Sequence, residues 1–426
     1  MGNNKDITLS IQRSSLSGIV IPPSSKSLAH RVLICAALSA GKSSVIHNIT
    51  LSKDISATVD CVRKLGAKVK VSEEGSTIFV EGYNPDEVRE NTVCMDCSES
   101  GSTLRFMIPV AAAVGGSFSF TGHGRLSERP VDIYKDIFER NNLEFSQTDG
   151  RLPLYTKGVL KSGIYHIRGD VSSQFISGLL FALPLLDGDS SLFIDTKLES
   201  EPYVDLTIEA QNAFGIKIER IVTNEGLLCY FIRGNQKYKG CEYTVEGDYS
   251  QAAFWETANY LGAKLNINGM NENSIQGDKA ILSILQRISS EREITVDASQ
   301  IPDLVPILSV AASLTEGTVT NIINAGRLRI KESDRLAAVR EELNKLGADI
   351  EEKSDGLLIK GVKMFNGGRV KAHNDHRIAM SIAVAALKCG GDIILEGADC
   401  VDKSYPDFWN EYVRLGGKAN EFNMGK

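Results

Sequence analysis

Lys26 stands among serines in PPSSKSLAHR, residues 22 to 31, and the chemistry it could do is the binding of an anion. Pro22 and Pro23 bar a helix before Ser24, while Leu28, Ala29, Val32, Leu33, Ala36 and Ala37 recur at helical spacing after it. Lys26 is therefore predicted at a strand-to-helix turn. Such a turn offers unpaired backbone N–H groups and the positive end of a helix dipole; Lys26 adds a point charge, Ser27 a hydroxyl donor and Arg31 a planar fork. Further bases sit at comparable turns: Arg105; Arg125 and Arg129 in GHGRLSERP; Arg329, Lys331 and Arg335 in RLRIKESDRL; Arg377; and Lys403 in DKSYPDF. Bases from several turns imply ligands that carry phosphate or carboxylate. Ser172, Ser173 and Gln174 add neutral donors, as a phosphorylated, sugar-like molecule would require. Carboxylates are interleaved with the bases: Asp303, Glu332, Asp334 and Asp375. The last two read equally as helix caps or ion-pair partners. Asp303 is flanked by Ile301, Pro302, Leu304, Val305 and Pro306, so partial desolvation is expected to raise its pKa and suit it to base chemistry.

Other chemistries find less support. ALSAGKSS ends like a P-loop but has Ala36 where that motif needs glycine, GHGRLS lacks the third glycine of a dinucleotide fingerprint, and no GxSxG elbow occurs. Cys94 and Cys97 form a lone CxxC with no second pair, and His373 and His376 in HNDH lack the glutamate of a zinc-protease helix, so no metal site is expected. The eight cysteines, at 35, 61, 94, 97, 229, 241, 389 and 400, mostly lie in apolar runs, as reduced core thiols do. A net charge of -7 argues against a general nucleic-acid binder. The longest apolar stretch, FISGLLFALPLL, is broken by Pro184 and falls short of a membrane span. The start, MGNNKDITLS, is polar and has no apolar signal core, which places the expected location in the cytoplasm.

The elements that must position these residues follow a repeat. Six segments each read as a polar turn, a small-residue apolar helix and a glycine stop, the stops being Gly41, Gly116, Gly188, Gly262, Gly317 and Gly391. The intervals are 75, 72, 74, 55 and 74 residues. A second helix per repeat is marked by KLGAKVKV, AFGIKIER, KLGADIEE and RLGGKANE, each with a glycine at the helix end followed by a strand. Six such units make an α/β protein of two lobes, three units to each. The first helix of each unit, apolar nearly all round, is expected inside its lobe with sheets outside. Parallel helices would bring their N-termini, and hence the bases, to one face. The lobes are expected at 23–238 and at 1–22 plus 239–426, the crossings lying near Pro22 and within residues 236–243.

Nine ordered motifs then carry a resemblance: PPSSKSLAHR, ESGSTLRF, GRLSERP, GDVSSQF, SEPYVD, IPDLVP, RIKESDRL, NDHRIAM and KSYPDF. In order and approximate spacing the chain resembles the enolpyruvyl transferases, and among them the EPSP synthase family, over essentially its whole length. The resemblance implies an inside-out α/β barrel fold, two lobes of three βαβαββ units around an interdomain cleft. It implies transfer of the enolpyruvyl group of phosphoenolpyruvate to the 5-hydroxyl of shikimate 3-phosphate, by addition and then elimination of phosphate, on the route to chorismate and the aromatic amino acids. Shikimate 3-phosphate would be held by Lys26, Ser27, Arg31, Ser172, Ser173, Gln174, Ser200, Tyr203, Asp303 and Lys331. Phosphoenolpyruvate would meet Lys26, Gly101, Arg129, Gln174, Glu332, Arg335, Arg377 and Lys403. Asp303 would take the hydroxyl proton and Glu332 handle the methyl proton, while Lys26 with His376 or Lys403 stabilises charge on the departing phosphate. The resemblance implies no cofactor, no metal, no nucleic acid or membrane partner, and a monomer.

Three departures from the family pattern stand out. Glu99 and Phe106 replace the usual Asn and Pro of the second motif, Arg327 replaces an asparagine, and Glu199 and Glu201 crowd Ser200 with negative charge. The sister reaction on UDP-N-acetylglucosamine would need a reactive cysteine near GHGRLSERP, where none occurs. A non-catalytic phosphosugar-binding scaffold would have no use for Asp303 and Glu332 together.

Overall fold

The computed structural model describes residues 7–86 and 91–422. Met1–Asp6, which carry part of the cytoplasmic expectation, lie outside the described residues. The chain divides into two units: Ser24–Glu246, here the insert unit, and Met1–Pro23 with Gly247–Lys426, here the terminal unit. Each has its own hydrophobic core, and no buried residue of one core belongs to the other. The second crossing falls at Glu246–Gly247 rather than near 238, because Glu242–Thr244 forms a strand that pairs in parallel with Ser43–His47 of the insert unit.

Twelve α-helices among the described residues come in six pairs. In the insert unit they are α1 (Lys26–Leu38), α2 (Lys53–Lys64), α3 (Gly101–Val114), α4 (Lys135–Arg140), α5 (Ser173–Ala182) and α6 (Glu201–Ala213). The terminal unit holds α7 (Tyr249–Tyr260), α8 (Ile281–Ser290), α9 (Val305–Ser313), α10 (Arg335–Lys345), α11 (His376–Ala385) and α12 (Phe408–Arg414). The first helix of each pair is buried on nearly every face: in α1 each residue from Leu28 to Leu38 is buried, and in α9 every residue is. Sheets pack over these helices. Five of the six repeats carry a four-stranded sheet whose first two strands are parallel and whose last two close antiparallel.

The fourth repeat is the exception and explains the short 55-residue interval. After Lys264–Ile267 and α8 the chain passes directly to Glu293–Asp297 of the fifth repeat, with no closing hairpin. Its sheet has two strands, Lys264–Ile267 beside Ser17–Val20 from the start of the chain. The start also completes the sixth repeat: Leu9–Gln12 lies between Ile393–Glu396 and Lys418–Glu421, with Leu9 opposite both Leu395 and Glu421.

Local chemistry agrees with the repeat. Ser25, Ser52, Ser100 and Ser172 each cap the helix that follows by accepting a backbone N–H, a bond typically worth about 1 kcal/mol. Gly66, Gly215, Gly347 and Gly416, the glycines of the second-helix motifs, all have positive φ, as a left-handed helix stop requires. At the α3–α5 contact a Cβ on Gly178 would lie 2.4 Å from Tyr134 Oη and 2.5 Å from Arg105 O, so only glycine lets these helices approach. Tyr134 donates there to the carbonyls of Arg105 and Phe175, fixing α3 against α5. No described helix is long and apolar enough to cross a membrane.

Candidate active site

In the insert unit the polar turns at the helix starts are held by one another. Lys26 is the first residue of α1, and its Nζ lies 2.6 Å from Asp54 Oδ2 on α2. Beneath it runs a buried chain of hydroxyls: His30 Nδ1 is 2.7 Å from Thr58 Oγ1, which is 2.7 Å from Thr103 Oγ1, which donates to Ser100 Oγ at 2.7 Å. Burial, with Lys26 and Arg31 nearby, pushes His30 well below its ordinary pKa, so it is a neutral link between α1, α2 and α3. Arg31 is buried and braces α1 to α6, donating to Thr207 Oγ1 at 2.8 Å, Ser27 O at 2.6 Å and Tyr203 O at 2.7 Å. Burial lowers it to about 10, so it stays charged at neutral pH. Phe106, one of the departures noted above, lies under this guanidinium, 5.1 Å from its centre.

Gly101 opens α3, and a Cβ there would lie 2.8 Å from Arg129 Nη1. The missing side chain is what admits the buried Arg129 guanidinium to this helix start. Gln174, near the start of α5, accepts from Arg105 Nη1 at 2.6 Å and donates to Ser102 Oγ at 2.8 Å, with Ser172 capping and Ser173 buried beside it. Ser200 precedes α6 with a left-handed backbone, φ 53 and ψ 41. The charge that crowds it has a counter-ion: Arg220 pairs with Glu201 and reaches Asp205 at 4.0 Å. Arg125 is exposed and joins none of these contacts.

The terminal unit gathers the remaining candidates around one carboxylate. Asp303 precedes α9; its Oδ1 accepts from Arg335 Nη1 at 2.8 Å and its Oδ2 from Arg377 Nη2 at 2.8 Å, and Lys331 Nζ is 3.9 Å from Oδ1. Arg335, almost fully buried, also donates through Nη2 to Glu332 Oε2 and through Nε to Asp375 Oδ2, both at 2.8 Å. Lys403 Nζ donates to Asn374 O at 2.7 Å, and His376 is buried as the first residue of α11. Asp375 caps α11, and Asp334 caps α10 while pairing with Arg329.

The expectation for the pKa of Asp303 is overturned. Burial does push it up, but Arg377, Lys331 and Arg335 outweigh burial and hold the carboxyl well below the usual range. Its neighbours along the chain are apolar; its neighbours in space are cations brought from residues 331, 335 and 377. Conversely, burial drives Lys331 down to about 8 against the pull of Asp303 and Glu332, with Arg335 and Arg327 adding to the fall. Arg327 donates to the carbonyl of Ser299.

Two features had no sequence signal. Asp278, buried, accepts a hydrogen bond from Ser250 of α7 and is raised to about 6, by burial first and then by the charge of Asp303. His373 joins Glu341 and Glu342 in a group whose potential ligand atoms lie within 4.8 Å, but Lys345 Nζ sits 2.9 Å from both glutamates and supplies the positive charge itself. All eight cysteines are free, Cys94 being exposed.

The sequence profile described as EPSP synthase (3-phosphoshikimate 1-carboxyvinyltransferase) matches residues 11–412. The chain belongs to the EPSP synthase family. Among its relatives, a 3-phosphoshikimate 1-carboxyvinyltransferase of Clostridium acetobutylicum is 49% identical over 426 aligned positions, covering 96% of this chain and 98% of that one. One of Clostridioides difficile is 46% identical, covering 98% and 100%. A solved EPSP synthase of Acinetobacter baumannii superposes with a TM-score of 0.80 at 24% identity, covering 97% of this chain and all of that one. An enolpyruvyl transferase of Streptomyces tendae gives 0.77 at 18% identity, covering 99% and 100%. The mixed α/β architecture of six repeating units is thus the fold of EPSP synthases.

Proposed function

We propose that this chain transfers the carboxyvinyl group of phosphoenolpyruvate to the 5-hydroxyl of shikimate 3-phosphate and releases phosphate. The observation that carries this reading is one guanidinium: Arg335 holds Asp303 on Nη1 and Glu332 on Nη2, each at 2.8 Å, inside a chain of the EPSP synthase family. Asp303 takes the proton of the 5-hydroxyl as that oxygen bonds C2 of phosphoenolpyruvate, and C3 receives a proton handled by Glu332. The tetrahedral adduct then loses a proton from C3 as the bond from C2 to the phosphate oxygen breaks, restoring the double bond. A carboxylate held by three cations is a weak base. Anionic substrates that draw Arg377 and Lys331 toward themselves weaken that hold, and the basicity of Asp303 rises when both are bound. The reaction is redox-neutral, and Lys26 with His376 or Lys403 stabilises the charge that develops on the departing phosphate.

The acceptor is recognised by Lys26, Ser27, Arg31, Ser172, Ser173, Gln174, Ser200, Tyr203, Asp303 and Lys331. Phosphoenolpyruvate is recognised by Lys26, Gly101, Arg129, Gln174, Glu332, Arg335, Arg377 and Lys403. Arg31, with bonds to Thr207, Ser27 and Tyr203, also sets the positions of two other residues in the first group. The enzyme works as a cytoplasmic monomer.

The test is phosphate release from phosphoenolpyruvate, with and without shikimate 3-phosphate, by the wild type and by Asp303→Asn. Release that requires the acceptor and falls at least about a hundredfold in the variant is expected for loss of a general base. Release with UDP-N-acetylglucosamine instead would overturn the acceptor assignment, and undiminished release by Asp303→Asn would overturn the role of Asp303.

A further inference from the structure

We propose that His373 is a positioning residue: a strut from α10 that fixes the turn Asn374–Asp375 and, through it, the ammonium of Lys403. The turn is strained. His373 and Asn374 are consecutive non-glycine residues in the left-handed region, with φ 54 and 53. Neither residue type is at ease there in succession, so surrounding contacts must hold the conformation.

Those contacts come from two levels of one helix. At the start of α10, Arg335 Nε donates to Asp375 Oδ2 at 2.8 Å, and Ser333 Oγ, just before the helix, donates to the same oxygen at 3.0 Å. Two turns further along, Glu342 meets His373 Nε2 at 2.6 Å through Oε1. Glu342 is itself immobilised: it is 1% exposed, its Oε1 and Oε2 accept from Lys345 Nζ at 2.9 and 3.0 Å, and its Oε2 also accepts from the backbone N–H of Lys371 at 3.1 Å. Those bonds, led by His373 among its hydrogen-bond partners, outweigh burial and keep Glu342 ionised. The carbonyl between the two anchored residues, Asn374 O, is the one that receives Lys403 Nζ at 2.7 Å. A strut at His373 therefore sets where that carbonyl points, and the carbonyl sets where the Lys403 ammonium rests. The geometry rests on the reading of Lys403 as a phosphoenolpyruvate contact.

Steady-state kinetics on His373→Ala, His373→Gln, His373→Asn and Lys403→Met, with melting temperatures for each, test it. In Gln, the side-chain amide nitrogen can reach where Nε2 of histidine lies; Asn is too short, yet tolerates a left-handed backbone best. The expected result is a KM for phosphoenolpyruvate raised about tenfold in His373→Ala and His373→Asn, largely restored in His373→Gln, with the KM for shikimate 3-phosphate unchanged. Recovery by Asn rather than Gln would overturn the strut in favour of backbone conformation alone. An unchanged KM in a folded His373→Ala would overturn it outright. If Lys403→Met leaves the KM for phosphoenolpyruvate unaltered while His373→Ala raises it, the fault lies with the assignment of Lys403, and the proposed route through Asn374 falls with it.

Discussion

Lys331 carries a charge that pH can remove within the working range of an enzyme. Burial first, and then the repulsion of Arg335 and Arg327, bring it to about 8, so it is charged below that pH and neutral above it. Because kcat/KM reports the free enzyme, kcat/KM for shikimate 3-phosphate should fall above pH 8, at most roughly tenfold per unit. In Arg327→Gln one repelling cation is gone, and that limb should move to higher pH in a pH–rate profile. Asp278 titrates lower, at about 6, because burial and the charge of Asp303 favour its proton. Its folded pKa is raised, so its contribution to stability is complete below the unfolded value near 4 and is lost as pH rises through 6. Asp278→Asn should therefore raise the melting temperature at pH 7.5, by about 2–4 °C for each kcal/mol recovered, and change it little at pH 4. At this scale the sequence told where the bases and carboxylates stand, at helix starts, better than what state they are in. The bases and carboxylates could be found because turns before apolar helices are local signals. The pKa of Asp303 could not, since it depends on partners 28, 32 and 74 residues away in the chain.

Helices and their stops were the most legible elements. A serine before an apolar run and a glycine after it act over a few residues, and both kinds of cap occur where the pattern places them. Pairing between distant strands has no such local mark. Nothing in EYT, residues 242 to 244, tells that it joins Ser43–His47, and the expected boundary near 238 missed it for that reason. The pairing of Lys26 with Asp54, and of Glu342 with His373, is hidden in the same way. Close helix approach makes its own prediction. Gly178→Ala would press a methyl group against Tyr134 Oη and Arg105 O, parting α3 from α5 and costing about 1–3 kcal/mol or more in denaturant unfolding. The same displacement moves Arg105 off Gln174, so the KM for both substrates should rise along with the loss of stability.

Two cores that share no residue imply two folding units. The insert unit is one continuous stretch, Ser24–Glu246, and that fragment expressed alone should melt cooperatively and retain its near-ultraviolet circular dichroism; a fragment without fixed tertiary structure would show that it depends on the remainder. The terminal unit has a different history. Its strand Leu9–Gln12 pairs with Lys418–Glu421, which the ribosome adds about 400 residues later. At about 5–20 residues per second the ribosome needs roughly 20–80 s to cover that interval. Once residue 246 has emerged the insert unit can fold to completion, while the earlier strand still hangs from it as an unpaired edge, available to chaperones and to chance neighbours until its partners emerge.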